Sequence, residues 1–210
     1  MERSLSSNTI EAYLADVTKL SEFARMRGTN RPDEMVTSDL EMFLAWMNEL
    51  GLAPHSQARI LSGVKAFYRY LLLEAVIEYD PAELLESPRL GRKLPDTLNI
   101  LEINSLIGSI DLSKAEGVRN KAILEVLYGC GLRVSEVVGL KISNLHLEKE
   151  FLKITGKGDK ERLVPIGAEA IRSLRIWLNE IRVHYPVKTG KEDFVFLNRR
   201  GNPLSRVMIF

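Results

Sequence analysis

One cysteine in 210 residues leaves no route to an intrachain disulfide, and such sparing use of thiols suits a reducing compartment. That residue, Cys130, stands between Gly129 and Gly131 in an apolar stretch of helical spacing, so it reads as a buried structural thiol rather than a nucleophile. No apolar run approaches the roughly 20 residues that a membrane span needs. The opening residues, Glu2 and Arg3, are followed by no apolar core of the signal-peptide kind. The expectation is a cytoplasmic protein with no membrane partner. Histidines number only three, His55, His146 and His184, and neither a Cys/His set nor a cluster of carboxylates offers a metal-ligand pattern. No metal and no other cofactor is expected. The nucleotide-binding pattern Gly-x-x-x-x-Gly-Lys-Ser/Thr is absent, and nothing points to a small-molecule substrate. There is no internal repeat and no low-complexity tract.

What is present is an ordinary globular balance, 45% hydrophobic and 27% charged, in a chain long enough for two modest cores or one large one. The net charge of +1 hides an asymmetry. Residues 1–90 carry 9 basic and 14 acidic side chains, for −5, whereas residues 91–210 carry 20 basic and 14 acidic, for +6. A basic second part suits a polyanion.

The first part reads as helices. Ile10, Tyr13, Leu14, Val17, Leu20, Phe23 and Ala24 form one apolar stripe at helical spacing, with Ser6 as N-cap and Gly28 as the stop. A second helix is expected from about Ser38, with Glu41 as its capping-box partner. It would bury Leu40, Phe43, Leu44 and Met47 before Gly51. A third follows Pro54, with Ile60, Val64, Phe67 and Leu71 on its core face. Between Glu49 and Glu74 this third segment has no acidic residue, while Arg59, Lys65 and Arg69 recur along it. A solvated face is the ordinary reading of such a stripe. Surface helices usually mix both signs of charge, however, and a purely basic stripe in an acidic region favours phosphate contact.

Ser87-Pro88-Arg89-Leu90-Gly91-Arg92-Lys93-Leu94-Pro95 breaks regular structure with two prolines and a glycine. A linker is expected over 87–96, dividing a helical domain, 1–86, from a second domain, 97–210. Arg92 and Lys93 would suit a linker that crosses a nucleic-acid backbone. Downstream, helices are expected at 99–110, 117–130 and 134–141. From Asn144 to Ile166 the period changes to short apolar stretches broken by charges and glycines, which reads as a small antiparallel sheet with a hairpin at Gly156–Asp159. A helix from Ala168 to about His184, a short strand at Phe194–Leu197, a turn at Arg199–Pro203 and a further helix beginning near Leu204 complete the reading.

Two segments carry chemistry. The first is Gly129-Cys130-Gly131-Leu132-Arg133-Val134-Ser135-Glu136-Val137-Val138-Gly139-Leu140, and Lys157 stands 24 positions beyond Arg133 in Thr155-Gly156-Lys157-Gly158-Asp159-Lys160-Glu161-Arg162-Leu163-Val164-Pro165-Ile166. The guanidinium of an arginine cannot lose its charge and can grip two phosphate oxygens. Such stabilisation is worth on the order of 3–4 kcal/mol per well-placed donor in a transition state. Arg133, behind a Gly-Leu pair and ahead of a short helix, can point into a concave site. Glu136 would orient Arg133 or cap its helix. A Gly-Lys-Gly tip is most often only a flexible turn.

Taken together, the two segments resemble the first half of the active site of the tyrosine recombinase, or phage integrase, family, and in particular its Xer-like members. The resemblance implies a mainly α fold with a small antiparallel β-sheet in two domains. One would be a helical, SAM-like core-binding domain and the other a partial α+β catalytic domain, clamping double-stranded DNA between them. It implies that Arg133 stabilises the transition state and that Lys157, from its hairpin, acts as general acid for the leaving 5′ oxygen. Lys160 and Arg162 would hold the hairpin on the backbone, and Arg59, Lys65, Arg69, Arg92 and Lys93 would add phosphate contacts. The partner would be a second copy or a paired recombinase in a tetrameric synaptic complex.

The family's remaining parts are a His-x-x-Arg motif and a tyrosine nucleophile that forms a 3′-phosphotyrosine. None of the three histidines has arginine three positions on, and none of Tyr13, Tyr68, Tyr70, Tyr79, Tyr128 and Tyr185 stands in a nucleophile context. The expectation is a catalytic domain that is C-terminally incomplete, with no nucleophile in this chain. Apolar surface should then be left exposed around Leu124, Leu127 and Ile171. Two other readings stay open: a non-catalytic DNA-binding protein derived from the recombinase clamp, and a helical protein-interaction module.

Overall fold

The computed structural model describes residues 7–29, 31–91, 94 and 96–209, save the side chains of Ser7, Asn8 and Lys157. It is mostly helical with one small sheet, and it divides into two compact units, residues 1–95 and 96–210.

In the first unit three helices, α1 (Ser7–Met26), α2 (Thr37–Glu49) and α3 (Pro54–Leu73), enclose one core. Leu20, Phe23, Leu40, Phe43, Met47, Ile60, Val64 and Tyr68 fill it, as the helical spacing leads one to expect. Phe23, Phe43 and Trp46 pack as a triad of rings 5.5–5.9 Å apart, a separation that favours tilted aromatic contact. The Tyr68 phenol is buried and donates to the Pro32 carbonyl at 2.6 Å, so this ring anchors the connection between α1 and α2. Three details depart from the sequence reading. Ile10 and Leu14 are exposed, so the stripe of α1 enters the core only in its second half. The second helix starts one residue earlier than Ser38, and Asp39, not Glu41, caps it by accepting from the Val36 N–H at 3.1 Å. Ser6, expected as the cap of α1, lies outside the described residues.

The third departure is in the core itself. Asp16 is fully buried between apolar neighbours, with its Oδ2 accepting from Arg59 NH1 at 2.8 Å and its Oδ1 without a partner. A buried carboxylate with an unmet oxygen is costly, and the pairing with Arg59 offsets part of that cost. Gly63 makes the approach of α1 to α3 possible here, since a β-carbon on it would lie 2.6 Å from Asp16 Oδ2.

The second unit begins with α4 (Ile100–Gly108), whose start is closed by a reciprocal capping box between Asn99 and Glu102, at 2.7 and 3.0 Å. Next come α5 (Ala115–Cys130) and a single-turn α6 (Val134–Val138). The antiparallel sheet follows: β1 (Leu145–His146), β2 (Phe151–Thr155) and β3 (Glu161–Pro165), in the order β1-β2-β3. Leu152 pairs with Val164 and Ile154 with Arg162, and the buried Leu152 and Ile154 alternate with partly exposed neighbours along β2. A final helix, α7 (Ala168–Ile176), widens into a π turn at Trp177–Ile181 and closes as a 3-10 turn at Arg182–His184. The widening begins at Trp177, fully buried, whose indole donates to the Val195 carbonyl at 2.9 Å.

Phe194–Leu197 is not a strand. Single bridges join Lys141 to Phe194 and Leu197 to Pro203, while side chains take three of the carbonyls, Arg182 on Phe194, Trp177 on Val195 and Arg119 on Leu197, and the Leu204 N–H donates to the Phe196 carbonyl at 3.3 Å. A segment whose carbonyls are satisfied in this way needs no ladder. Residues from Leu204 make only a 3-10 turn, Arg206–Met208. The surface expected to be exposed is largely covered, since Ile171 is buried in the core with Leu174 and Trp177, and Leu124 and Leu127 are half-buried.

Replacing Gly63 by alanine sets two effects against each other. Helix propensity favours alanine by about 1 kcal/mol, but the added carbon would strike a buried carboxylate that cannot move without leaving Arg59. Overpacking of this kind costs roughly 1–3 kcal/mol. The expected outcome is a net loss of stability in the first unit, read as a lower urea midpoint. A higher midpoint would show that α1 and α3 can separate freely.

Candidate functional site

The site is assembled at the end of α5. Gly131 takes a left-handed conformation, φ 58°, which glycine adopts without strain. The reversal brings Leu132 back into the core and sets Arg133, in extended conformation, at the N-cap of α6. Three residues on, the Glu136 carboxylate turns back and accepts from the Arg133 backbone N–H at 2.8 Å. This is one half of a capping box. Its other oxygen accepts from Arg133 NH1 at 3.1 Å. Glu136 thus both caps the helix and holds the arginine.

A second arginine reaches the same carboxylate from the sheet. Arg162, on β3, donates NH1 to Oε1 at 2.8 Å and NH2 to Oε2 at 2.9 Å. The Glu136 side chain is only 5% exposed, while Arg133 is 74% exposed. Bidentate arginine–carboxylate pairs are the strong form of charged hydrogen bond. Arg162 foremost holds the Glu136 carboxyl down at about 2; burial pushes it back up, and the Arg133 backbone and side chain add lesser lowering. Arg133 is left with most of its guanidinium facing solvent.

The hairpin that carries Arg162 is closed at its neck by the Gly156 N–H, which donates to the Lys160 carbonyl at 2.8 Å. Beyond the neck, Lys157–Asp159 forms a tight turn in which Gly158 and Asp159 both have positive φ. Lys157 opens that turn, and Lys160 is exposed. Across the two strands Lys153 and Glu161 pair at 2.8 Å. An open depression of about 450 Å³, lined among others by Ser135, Glu136, Lys141, Lys153 and Thr155, lies beside the hairpin.

The other residues singled out in the sequence fall elsewhere. In the first unit Arg59 holds Asp16, whose carboxyl burial pushes up and Arg59 pulls partly back. Lys65 donates to the Glu83 carbonyl at 3.2 Å, and Arg69 is exposed. Arg92 and Lys93 lie outside the described residues. Asp16 was missed by sequence reasoning, yet it had a signal: it stands on the Leu20–Phe23–Ala24 face of α1, where a charge demands a partner. Among the described residues no three His, Cys, Asp or Glu side chains converge as a metal-ligand set, and no helix is long and apolar enough to cross a membrane.

Residues 97–209 match the phage integrase family, and residues 1–75 match the N-terminal SAM-like domain of phage integrases. The chain belongs to the phage integrase family. It is 38% identical to the tyrosine recombinase XerD of Listeria innocua, covering 98% of this chain and 70% of that protein. It is 37% identical to the tyrosine recombinase XerD of Staphylococcus aureus, covering 100% of this chain and 71% of that one. Among solved structures, the XerH site-specific recombinase bound to palindromic difH substrate, in a post-cleavage complex, superposes with a TM-score of 0.73 at 27% identity, over 95% of this chain and 59% of that chain. The Tn1549 transposon integrase bound to transposon right end DNA shares the fold, with a TM-score of 0.75 at 20% identity over 97% of this chain and 70% of that one.

The depressed Glu136 carboxyl sets a pH dependence. Its folded value, about 2, lies below the ordinary glutamate value. Its ion pairs therefore contribute in full above about pH 4.3 and are lost as pH falls through the folded value. Urea unfolding of the second unit can be followed by Trp177 in a Trp46→Phe background. Wild type should lose more stability between pH 5 and 2 than Glu136→Gln does. A gap between the two that stays constant over that range would show that Glu136 does not titrate in this window.

Proposed function

We propose that this chain grips duplex DNA as the core-binding and catalytic parts of a Xer-like site-specific tyrosine recombinase. Residues 1–86 would form the core-binding domain, 87–96 the linker and 97–210 the catalytic domain. The observation that carries the reading is the exposed guanidinium of Arg133, fixed at a helix start by a buried carboxylate that also ties down the Lys157 hairpin. Such an arrangement suits a scissile phosphate. Arg133 neutralises charge developing on the phosphoryl oxygens, and Lys157 delivers a proton to the leaving 5′ oxygen. In the complete enzyme a tyrosine attacks the phosphorus, the bond to the 5′ oxygen breaks, and a 3′-phosphotyrosine holds the strand until a 5′ hydroxyl rejoins it. Partners are double-stranded DNA and a second recombinase copy, assembled as a tetramer. The homologous XerD proteins and the DNA-bound XerH structure support this reading.

Binding without cutting is the activity proposed for these 210 residues themselves. Of the six tyrosines, Tyr68 is committed to Pro32 and the Tyr185 hydroxyl is enclosed by protein. None of the six is a hydrogen-bond partner of Arg133, Glu136 or Arg162 among the described residues. Attack on a phosphodiester needs a positioned oxygen.

Two measurements check the proposal. If about five of the cations at Arg59, Lys65, Arg69, Arg92, Lys93, Arg133 and Lys160 meet phosphates, log affinity should fall with log salt with a slope of roughly −4 to −5. A flat dependence rules out the clamp. On a nicked suicide duplex no covalent protein–DNA adduct should accumulate, and an adduct would oblige one of the six tyrosines to serve.

A further inference from the structure

Arg162 looks from the sequence like one more phosphate contact on the hairpin, but each of its terminal nitrogens already donates to a carboxylate. Both terminal nitrogens lie within 2.9 Å of the two Glu136 oxygens, and the side chain is 39% exposed, about half the exposure of Arg133 at 74%. Arg133 holds the same carboxylate through one longer bond, 3.1 Å from NH1. The two arginines thus divide one anion unequally. Arg162 takes the two-bond grip, and Arg133 keeps most of its five N–H donors free.

That division has a physical consequence. A carboxylate as enclosed as Glu136 requires its oxygens to be met. Without Arg162 each oxygen keeps a single bond, both of them from Arg133 through its backbone N–H and NH1, and the cation already in contact to replace the lost pair is the Arg133 side chain, three residues away on the same turn. Its planar fork fits the carboxylate as well as it fits a phosphate. Arg133 would then turn inward, and its charge would be spent on Glu136.

We propose that Arg162 is a positioning residue: by occupying Glu136 with both terminal nitrogens it keeps Arg133 turned outward for phosphate. It also joins the hairpin that bears Lys157 to the start of α6, so the hairpin cannot shift without loosening Arg133. The proposal rests on the reading of Arg133 as a phosphate contact.

The test is the salt dependence of duplex binding by the full chain, for Arg133→Gln, Arg162→Gln and the double variant. Each lost phosphate contact makes the slope shallower by about 0.9. Each single variant should show that change, and the double variant should show no more than either single one, because both act through the same contact. A double variant shallower by roughly twice as much would place Arg162 on a phosphate of its own and overturn the proposal. So would an unchanged slope in Arg162→Gln beside a shallower one in Arg133→Gln. If Arg133→Gln itself leaves the slope unchanged, the phosphate reading of Arg133 fails first and the positioning role falls with it. Arg162→Lys is the second variant, should glutamine prevent folding. Lysine keeps the charge but lacks the fork that meets both oxygens, so the slope should be as shallow as for Arg133→Gln. A wild-type slope in Arg162→Lys would mean that charge alone suffices at this position, and would overturn the proposal.

Discussion

An anion withdrawn from water has to be surrounded by donors, and in this protein the local architecture of the catalytic-type unit follows from one such anion. Glu136 receives a backbone N–H from the start of its own helix, one bond from Arg133 and two from Arg162. Those bonds tie together the end of α5, the single turn of α6 and the third strand. A five-residue helix is too short to persist by propensity alone, so α6 depends on this cap and on the burial of Val137 beneath it. Remove the carboxylate and three elements lose their common fastening. The same geometry leaves the Arg133 side chain facing solvent.

The first unit repeats the device in a different form. Asp16 on α1 is sealed against α3 by Gly63 and met by Arg59 from solvent. Here the anion is under-satisfied, because one oxygen has no partner. The cation is half-exposed, at 52%, and its remaining donors are open to water. In both units a partly exposed arginine is held by a buried acid, Arg59 by Asp16 and Arg133 and Arg162 by Glu136.

The sequence conveyed the helices and the sheet well because both depend on spacing. The Leu20–Phe23–Ala24 and Ile60–Val64–Leu71 faces, and the alternation of Leu152 and Ile154, are local patterns that survive packing. What it conveyed poorly depends on partners far along the chain. Nothing local marks Arg162 as a partner of Glu136, 26 residues earlier. Nothing local shows that the carbonyls of Phe194, Val195 and Leu197 are taken by Arg182, Trp177 and Arg119 instead of by a neighbouring strand. Asp39 displaced Glu41 as the cap because the N-cap is Val36, two residues before Ser38, a shift too small for periodicity to register. The Gly-Leu-Arg run and the Gly-Lys-Gly tip were legible as a pair, since their chemistry is explicit. The carboxylate that joins them was legible as a cap or as a support for Arg133, but not as a tie to the hairpin strand.

The closed neck of the hairpin carries a mechanical implication. Because Gly156 and Lys160 are hydrogen-bonded to each other, bending at Lys157–Asp159 is insulated from the strands below. Below the neck the ladder and the pairing of Arg162 with Glu136 hold the strands in place. Amide protons should accordingly exchange slowly up to Gly156 and fast just past it, a step in protection across one peptide unit. The boundary between ladder and turn thus falls inside a single loop, between Gly156 and Lys157.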